Sequence, residues 1–199
     1  GSSGGSGSSV SSGQCMGALG TDTGGSVRIP SSLCGIVGLK PTFGRVSRQG
    51  VYPLSSSLDT VGPMARTVQD VAIILGSIAG YDPQDHSSVN VGVSNYTAHL
   101  GDGVKGLRIG VPKEHFYDII DTEIEETISG AIDIFEQLGA IVESVSIPML
   151  RYSLPISGTI LFAEAAEVNF EYLRDRAADL GPDVRSRLEI GSIILASDY

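Results

Sequence analysis

The stretch that decides the fold class is LRIGVPKEHFYDIIDTEIEETISGAIDIFEQLGAIVESVSI, residues 107–147. Its opening, residues 107–111, reads as a short strand, and its end, residues 141–147, alternates side chains as a half-buried strand does. Between them, apolar residues recur at helical spacing, and we expect Thr122 and Glu125 to cap the start of that helix. A strand, a helix and a strand within about 40 residues predict a βαβ unit with a parallel strand pair and a right-handed crossover.

The composition is that of a folded protein. Of the 199 residues, 41% are hydrophobic and 18% are charged, which is too apolar for a disordered chain. No apolar run approaches the roughly 18 residues that a membrane span needs. The net charge of -10, with no basic stripe, argues against direct binding of nucleic acid. Two cysteines, Cys15 and Cys34, cannot form a disulfide framework, so we expect a cytoplasmic protein.

Helices are also predicted on both sides of the βαβ stretch. Thr67 and Asp70 form a capping box ahead of apolar residues at helical spacing, which predicts a core-facing helix that stops at Gly80. Residues 154–176 are predicted to be helical, and Pro182 opens a further helix.

Glycine makes up 26 residues, about 13% against an average near 7%, and the excess lies before residue 50. Residues 1–12 have the composition of a flexible linker, and composition alone leaves open whether they fold. A second cluster, GTDTGGSVRIP at residues 20–30, can converge backbone N–H groups on one point, which suits an anion or an oxyanion. An ordinary tight turn is the alternative.

A nucleophile is also present in this cluster, because Ser26 follows two glycines there. The three histidines lie far from it in sequence, so a Ser-His-Asp triad is not supported. If Ser26 attacks, we expect its base to be another serine or a lysine.

Ordered motifs run through the first half of the chain. They are GSSGGS (residues 1–6), GTDTGGSVRIP (20–30), CGIVGLKPT (34–42), GRVS (44–47) and SSLDTVGP (56–63). This set resembles the signature of the amidase signature family, the Ser-cisSer-Lys amidohydrolases, and the resemblance is strong over residues 1–88. It implies an α/β fold with a mixed β-sheet covered by helices, in which residues 1–12 are ordered.

The resemblance also implies site roles. Ser26 would be the acylated nucleophile, and Ser2 the bridging serine that family members hold in a cis peptide. The backbone N–H groups of Thr23, Gly24, Gly25 and Ser26 would form the oxyanion hole. The implied reaction is hydrolysis of a small-molecule carboxylic amide, with no metal and no organic cofactor. The resemblance identifies no substrate-binding residue.

The family's catalytic lysine lies upstream of the bridging serine. We expect Lys40, at the end of a strand, to be structural. We expect Arg28 to hold its own loop, and a substrate carboxylate is the alternative partner for it. Residues 1–199 are accordingly predicted to be part of a single amidase signature domain without its N-terminal lysine segment and its C-terminal portion. The isolated fragment is expected to be inactive.

Function classes remain open within this resemblance. The main expectation is a stand-alone amidase, because residues 162–189 look more like those enzymes. The alternative is the A subunit of a glutamine-dependent aspartyl/glutamyl-tRNA amidotransferase, in which partner subunits would handle tRNA. A third hypothesis, of another class, is a non-catalytic remnant or binding module. The sequence leaves the oligomeric state open: the main reading is compatible with a homodimer and the alternative with amidotransferase partner subunits, and no membrane partner is expected.

Overall fold

The computed structural model describes residues 1–199 and confirms the mixed α/β class. Its residues fall into two units, Gly1–Ala98 with Ser157–Tyr199, and His99–Ile156. The strands are β1 (Gly17–Asp22), β2 (Val37–Gly38), β3 (Thr60–Ala65), β4 (Arg108–Pro112) and β5 (Ile141–Val145); the helices are α1 (Gly4–Ser11), α2 (Arg28–Leu33), α3 (Val68–Ile78), α4 (Thr122–Gln137), α5 (Ser153–Val168), α6 (Phe170–Asp175) and α7 (Pro182–Ser192). The prediction that the chain is part of one domain stays a prediction. None of these helices has the length and apolar character that a membrane crossing requires.

The first unit contains an antiparallel sheet in the order β1-β3-β2. Every residue of the central strand β3 is buried. Gly62 of β3 lets Leu39, the residue directly after β2, approach closely, because a Cβ at Gly62 would lie 2.1 Å from the carbonyl oxygen of Leu39. The sheet therefore fixes the end of β1, at Asp22, opposite Thr60.

The Gly/Ser-rich opening folds into α1, as the resemblance implies and as composition leaves open. Glycine and serine are poor helix formers, so packing has to supply the stability. Val10 is fully buried, and Gly7 faces the side chains of Met64 and Cys34, each within 3.4 Å of where its Cβ would stand. Helix α1 therefore packs one face, which carries Gly7 and Val10, against the rest of the unit.

The predicted capping of α3 is confirmed. Thr67 Oγ1 accepts a hydrogen bond from the backbone N–H of Asp70 at 3.1 Å. Val68, at the start of the predicted apolar face, is exposed, whereas Leu75 is buried. Leu75 packs in a hydrophobic cluster with Val46 and Val61.

The second unit confirms the βαβ prediction. Strands β4 and β5 pair in parallel, with Arg108 opposite Ile141, and α4 connects them. No residue of α4 is buried, so its apolar stripe is more exposed than the periodicity suggests. These two strands form a sheet of their own.

The predicted cap of α4 is wrong by one residue. Asp121, rather than Thr122, is the N-cap, and its carboxylate accepts a hydrogen bond from the backbone N–H of Glu123 at 2.9 Å. Asp121 keeps an extended backbone while Thr122 is already helical. Either residue can cap a helix, so the backbone conformation decides which one does.

The C-terminal helices follow the predicted pattern with one break. The stretch predicted over residues 154–176 divides at Asn169 into α5 and α6, and α7 has Pro182 in its first turn. Helix α7 packs closely on α5, because a Cβ at Gly191 would lie 1.9 Å from the carbonyl oxygen of Phe162.

Candidate active site

The Ser26 loop (residues 23–26) joins the end of β1 to α2 and is folded around the Asp22 carboxylate. Asp22 is fully buried. It accepts hydrogen bonds from the backbone N–H groups of Gly25 at 2.7 Å, Val27 at 3.1 Å and Arg28 at 3.2 Å. A single carboxylate therefore closes the loop and sets the start of α2.

Arg28 completes this arrangement and confirms the prediction that it holds its own loop. Its Nε donates to one Asp22 oxygen at 3.0 Å and its terminal nitrogen to the other at 2.9 Å. Burial raises the pKa of Asp22, but the hydrogen bonds from Arg28 and from the loop N–H groups outweigh it and lower the pKa to about 2. Asp22 is thus ionised at neutral pH.

Gly25 is required by the loop's shape. Its φ is +123°, and a Cβ there would lie 2.6 Å from Cδ1 of Ile29. A side chain would therefore meet both an unfavourable backbone conformation and a steric clash.

The predicted oxyanion donors differ in their hydrogen bonding. The backbone N–H of Gly25 is donated to Asp22, whereas those of Thr23, Gly24 and Ser26 find no acceptor within the protein. Backbone N–H groups without an internal acceptor can stabilise a negative oxygen if they point at it. The oxyanion hole stays a prediction, and for Gly25 the structure shows a different partner.

The N-terminal residues lie against the Ser26 loop. A Cβ at Gly1 would lie 2.8 Å from Cα of Ser26. Ser3 is buried, and its Oγ donates to the carbonyl of Thr21 at 3.2 Å and accepts from the Thr21 N–H at 3.1 Å. These contacts hold the segment that carries Ser2, so the structure brings the two predicted serines into one region.

The cis peptide that the resemblance implies at Ser2 is not present. Every peptide bond of the chain is trans. Ser2 is exposed and makes no hydrogen bond within the protein.

Two other candidate bases, Lys40 and His99, have partners of their own. Lys40 Nζ donates to the carbonyl of Pro41 at 3.0 Å, in keeping with the predicted structural role. His99 pairs with Asp102 at 2.7 Å. Within the first unit, neither Lys40 nor His86 makes a hydrogen bond to the Ser26 loop.

A cleft of about 480 Å³ in the first unit is lined by Thr21, next to Asp22 at the end of β1. Ser2 and Ser26 do not line it, although Asp59 and Thr60 do. Ser26 itself is half-buried and Gly24 is exposed. The cleft thus borders the residues that hold the loop, while the two predicted serines lie outside its lining.

Two acidic residues that hold the candidate site were not predicted from the sequence. Asp22 lies directly before the Thr-Gly-Gly-Ser segment, and an aspartate that bonds N–H groups a few residues on is a recognisable turn signal. Asp59 accepts a hydrogen bond from Thr23 Oγ1 at 2.5 Å across 36 residues, and no local pattern predicts that contact.

Comparison with known proteins gives concordant matches. The family model described as Amidase matches residues 1–199. The A subunit of glutamyl-tRNA(Gln) amidotransferase from Carboxydothermus hydrogenoformans is 44% identical over 218 aligned positions, which take in 100% of this chain and 45% of that protein. The solved structure of the corresponding protein from Thermotoga maritima has a TM-score of 0.83 and 42% identity, over 100% of this chain and 42% of the other.

A second solved structure is closer in shape. It is a vestigial protein complex described as revealing the evolutionary origins of an s-triazine catabolic enzyme, with a TM-score of 0.93 and 36% identity over 100% of this chain and 43% of the other. The chain thus spans less than half the length of the relatives described here.

Proposed function

The chain belongs to the amidase signature family, and from that membership we propose that the protein hydrolyses a carboxamide C–N bond through an acyl-enzyme on Ser26. The observation that carries the proposal is the Ser26 loop. Asp22 holds it closed, and the N–H groups of Thr23, Gly24 and Ser26 are left for an external acceptor. Removing one donor of this kind typically slows an enzyme about 10²- to 10³-fold.

In the proposed reaction, Ser26 Oγ attacks the amide carbonyl carbon and gives its proton to Ser2, which passes it to a lysine. The C–N bond then breaks, and ammonia or an amine leaves with that proton. Water hydrolyses the acyl ester, which yields the carboxylic acid and restores Ser26. The lysine is the one that the family resemblance places upstream of Ser2, since Lys40 is engaged by a backbone carbonyl.

For the substrate, we favour glutamine and the role of an amidotransferase A subunit, which reverses the order of the sequence-based expectations. The identity of 44% to the A subunit of glutamyl-tRNA(Gln) amidotransferase supports this choice. The net charge of -10 agrees with it, because an acidic chain would leave tRNA to partner subunits.

A stand-alone or catabolic amidase is the second candidate. The observation that favours a catabolic role is the TM-score of 0.93 to the s-triazine-related complex, against 0.83 to the amidotransferase A subunit. Ammonia release from glutamine, compared with release from a panel of small carboxamides, distinguishes the two candidates. Glutamine as the preferred substrate supports the first, and preference for another amide supports the second.

The test of the chemistry is labelling of the full-length protein with a fluorophosphonate, followed by intact-mass and peptide mapping. We expect the label on Ser26 in the wild type, none in Ser26→Ala, and full labelling in Ser32→Ala, an exposed serine of the neighbouring α2. Residues 1–199 alone are expected to hydrolyse no amide. A folded full-length protein that neither takes the label nor hydrolyses an amide would contradict the proposal and favour the non-catalytic module.

A further inference from the structure

We infer that Asp59 is a positioning residue for the Ser26 loop, which acts by holding the side chain of Thr23. The inference rests on the proposed acyl-enzyme function, because it concerns the N–H groups that would meet the oxyanion. Asp59 follows the Ser-Ser-Leu of the SSLDTVGP motif, immediately before β3.

The orientation of the Asp59 carboxylate is fixed on both oxygens. Asp59 is 6% exposed. One oxygen accepts from Thr23 Oγ1 at 2.5 Å, and the other accepts from the backbone N–H groups of Leu54 at 2.7 Å and Ser55 at 3.0 Å. A carboxylate held in this way presents a stationary acceptor to Thr23.

The Thr23 hydroxyl is what holds the first half of the Ser26 loop. The second half is bound to Asp22 through Gly25. Neither the N–H nor the carbonyl of Thr23 or Gly24 makes a hydrogen bond within the protein. These two residues carry two of the N–H groups proposed to stabilise the oxyanion, so a loosened Thr23 would misplace both of them.

Helix α5 holds the turn that carries Asp59 through hydrogen bonds to Glu164. Glu164 is buried; it accepts a hydrogen bond from Ser55 Oγ, another from the Ser57 N–H at 3.1 Å and a third from the Tyr199 hydroxyl at 2.8 Å. Burial raises the pKa of Glu164, but these hydrogen bonds outweigh it and lower the pKa to about 2. The ionised Glu164 therefore ties the turn that carries Asp59 to α5.

The same helix approaches the loop from another side. A Cβ at Gly24 would lie 3.4 Å from Cδ1 of Leu161, which belongs to α5. Helix α5 thus anchors Asp59 through Glu164 and also contacts the loop that Asp59 positions. The two contacts confine Thr23 and Gly24 between one helix and one carboxylate.

The test is Thr23→Val in the full-length protein, because valine keeps the shape of threonine and removes the hydroxyl. We expect kcat for amide hydrolysis to fall about 10- to 100-fold, with KM changed less than about 3-fold, since small misplacements of a catalytic group cost this much. Thr23→Ser, which keeps the hydroxyl, is expected to restore most of kcat. Hydrogen exchange of a peptide that covers residues 20–33 is expected to be faster in Thr23→Val.

Thr127→Val is the matched control, because Thr127 Oγ1 also makes one hydrogen bond, to the Glu123 carbonyl at 2.7 Å, in α4. We expect it to keep kcat and the exchange of residues 20–33. Unchanged kcat and exchange in Thr23→Val would overturn the inference, as would a Thr23→Ser variant as slow as Thr23→Val. If the wild type hydrolyses no amide, the proposed function fails, and exchange alone decides whether the hydroxyl holds the loop.

Discussion

Asp22→Asn is the substitution that most directly probes how the Ser26 loop is built. The Asp22 carboxylate accepts three backbone hydrogen bonds and two from Arg28. Asparagine keeps the size of the side chain but loses the charge and one acceptor oxygen. Its NH₂ group would face donors rather than acceptors.

The expected loss can be worked from these contacts. The Asp22 pKa of about 2 lies nearly two pH units below its ordinary value of 3.8. At about 1.4 kcal/mol per pH unit, the ionised carboxylate adds roughly 2 kcal/mol to stability. Solvent screens the share of Arg28, whose side chain is 54% exposed, so we take about 1 to 2 kcal/mol. The hydrogen bonds that Asp22 accepts are the cause of this lowered pKa and are already included, so the predicted total loss is about 1 to 2 kcal/mol.

The assay is urea unfolding of the full-length protein at pH 7 and at lower pH. Because folding lowers the pKa of Asp22, its contribution is present above the unfolded value near 3.9 and is lost as the pH falls toward 2. The difference between wild type and Asp22→Asn should therefore shrink below about pH 4. Fluorophosphonate labelling of Ser26 should slow in the same variant, because the loop loses its anchor.

Asp133→Asn is the control, since Asp133 is exposed on α4 and makes no ion pair. We expect it to change the free energy of unfolding by less than about 0.5 kcal/mol. An equally small loss in Asp22→Asn would refute the reasoning. A loss that is the same at pH 7 and pH 3 would show that the charge of Asp22 contributes nothing.

The remaining predictions concern a backbone position and a second buried carboxylate. Gly25→Ala should lower the free energy of unfolding by about 2 to 3 kcal/mol and slow Ser26 labelling. Gly13 is the control, because its φ is +77° but the space around it is open, and Gly13→Ala should cost about 1 kcal/mol in the same urea titration. Equal losses in the two variants would show that the clash at Gly25 is unimportant. Glu164→Gln should lower stability at pH 7 by about 1 to 3 kcal/mol, with most of that difference lost as the pH falls from about 4.5 toward 2. Urea unfolding beside the exposed control Glu126→Gln measures it, and a pH-independent difference would contradict the prediction.

Local contacts explain which parts of the fold were predictable. The βαβ unit and the Thr67 cap depend on residues that are neighbours along a strand or within one helical turn, so the pattern contains the information. The α4 cap was misplaced because Asp121 and Thr122 are both competent caps. Helix α1 could not be predicted from its own composition, because its stability comes from the burial of Val10 and Gly7.

The candidate site also contains some features that the sequence predicts and others that only the folded chain reveals. The family, the nucleophile candidate Ser26 and a glycine-rich loop all follow from the order of the amino acids, which also contains the Asp22 anchor, since its backbone partners lie three to six residues away. It took the folded chain to establish that Asp22 holds the Gly25 N–H, and that Asp59 and Glu164 support Thr23 through hydrogen bonds that span 36 and 109 residues. A hydrogen bond depends on distance and direction in space. A sequence pattern reveals these only for residues that the backbone already keeps close together.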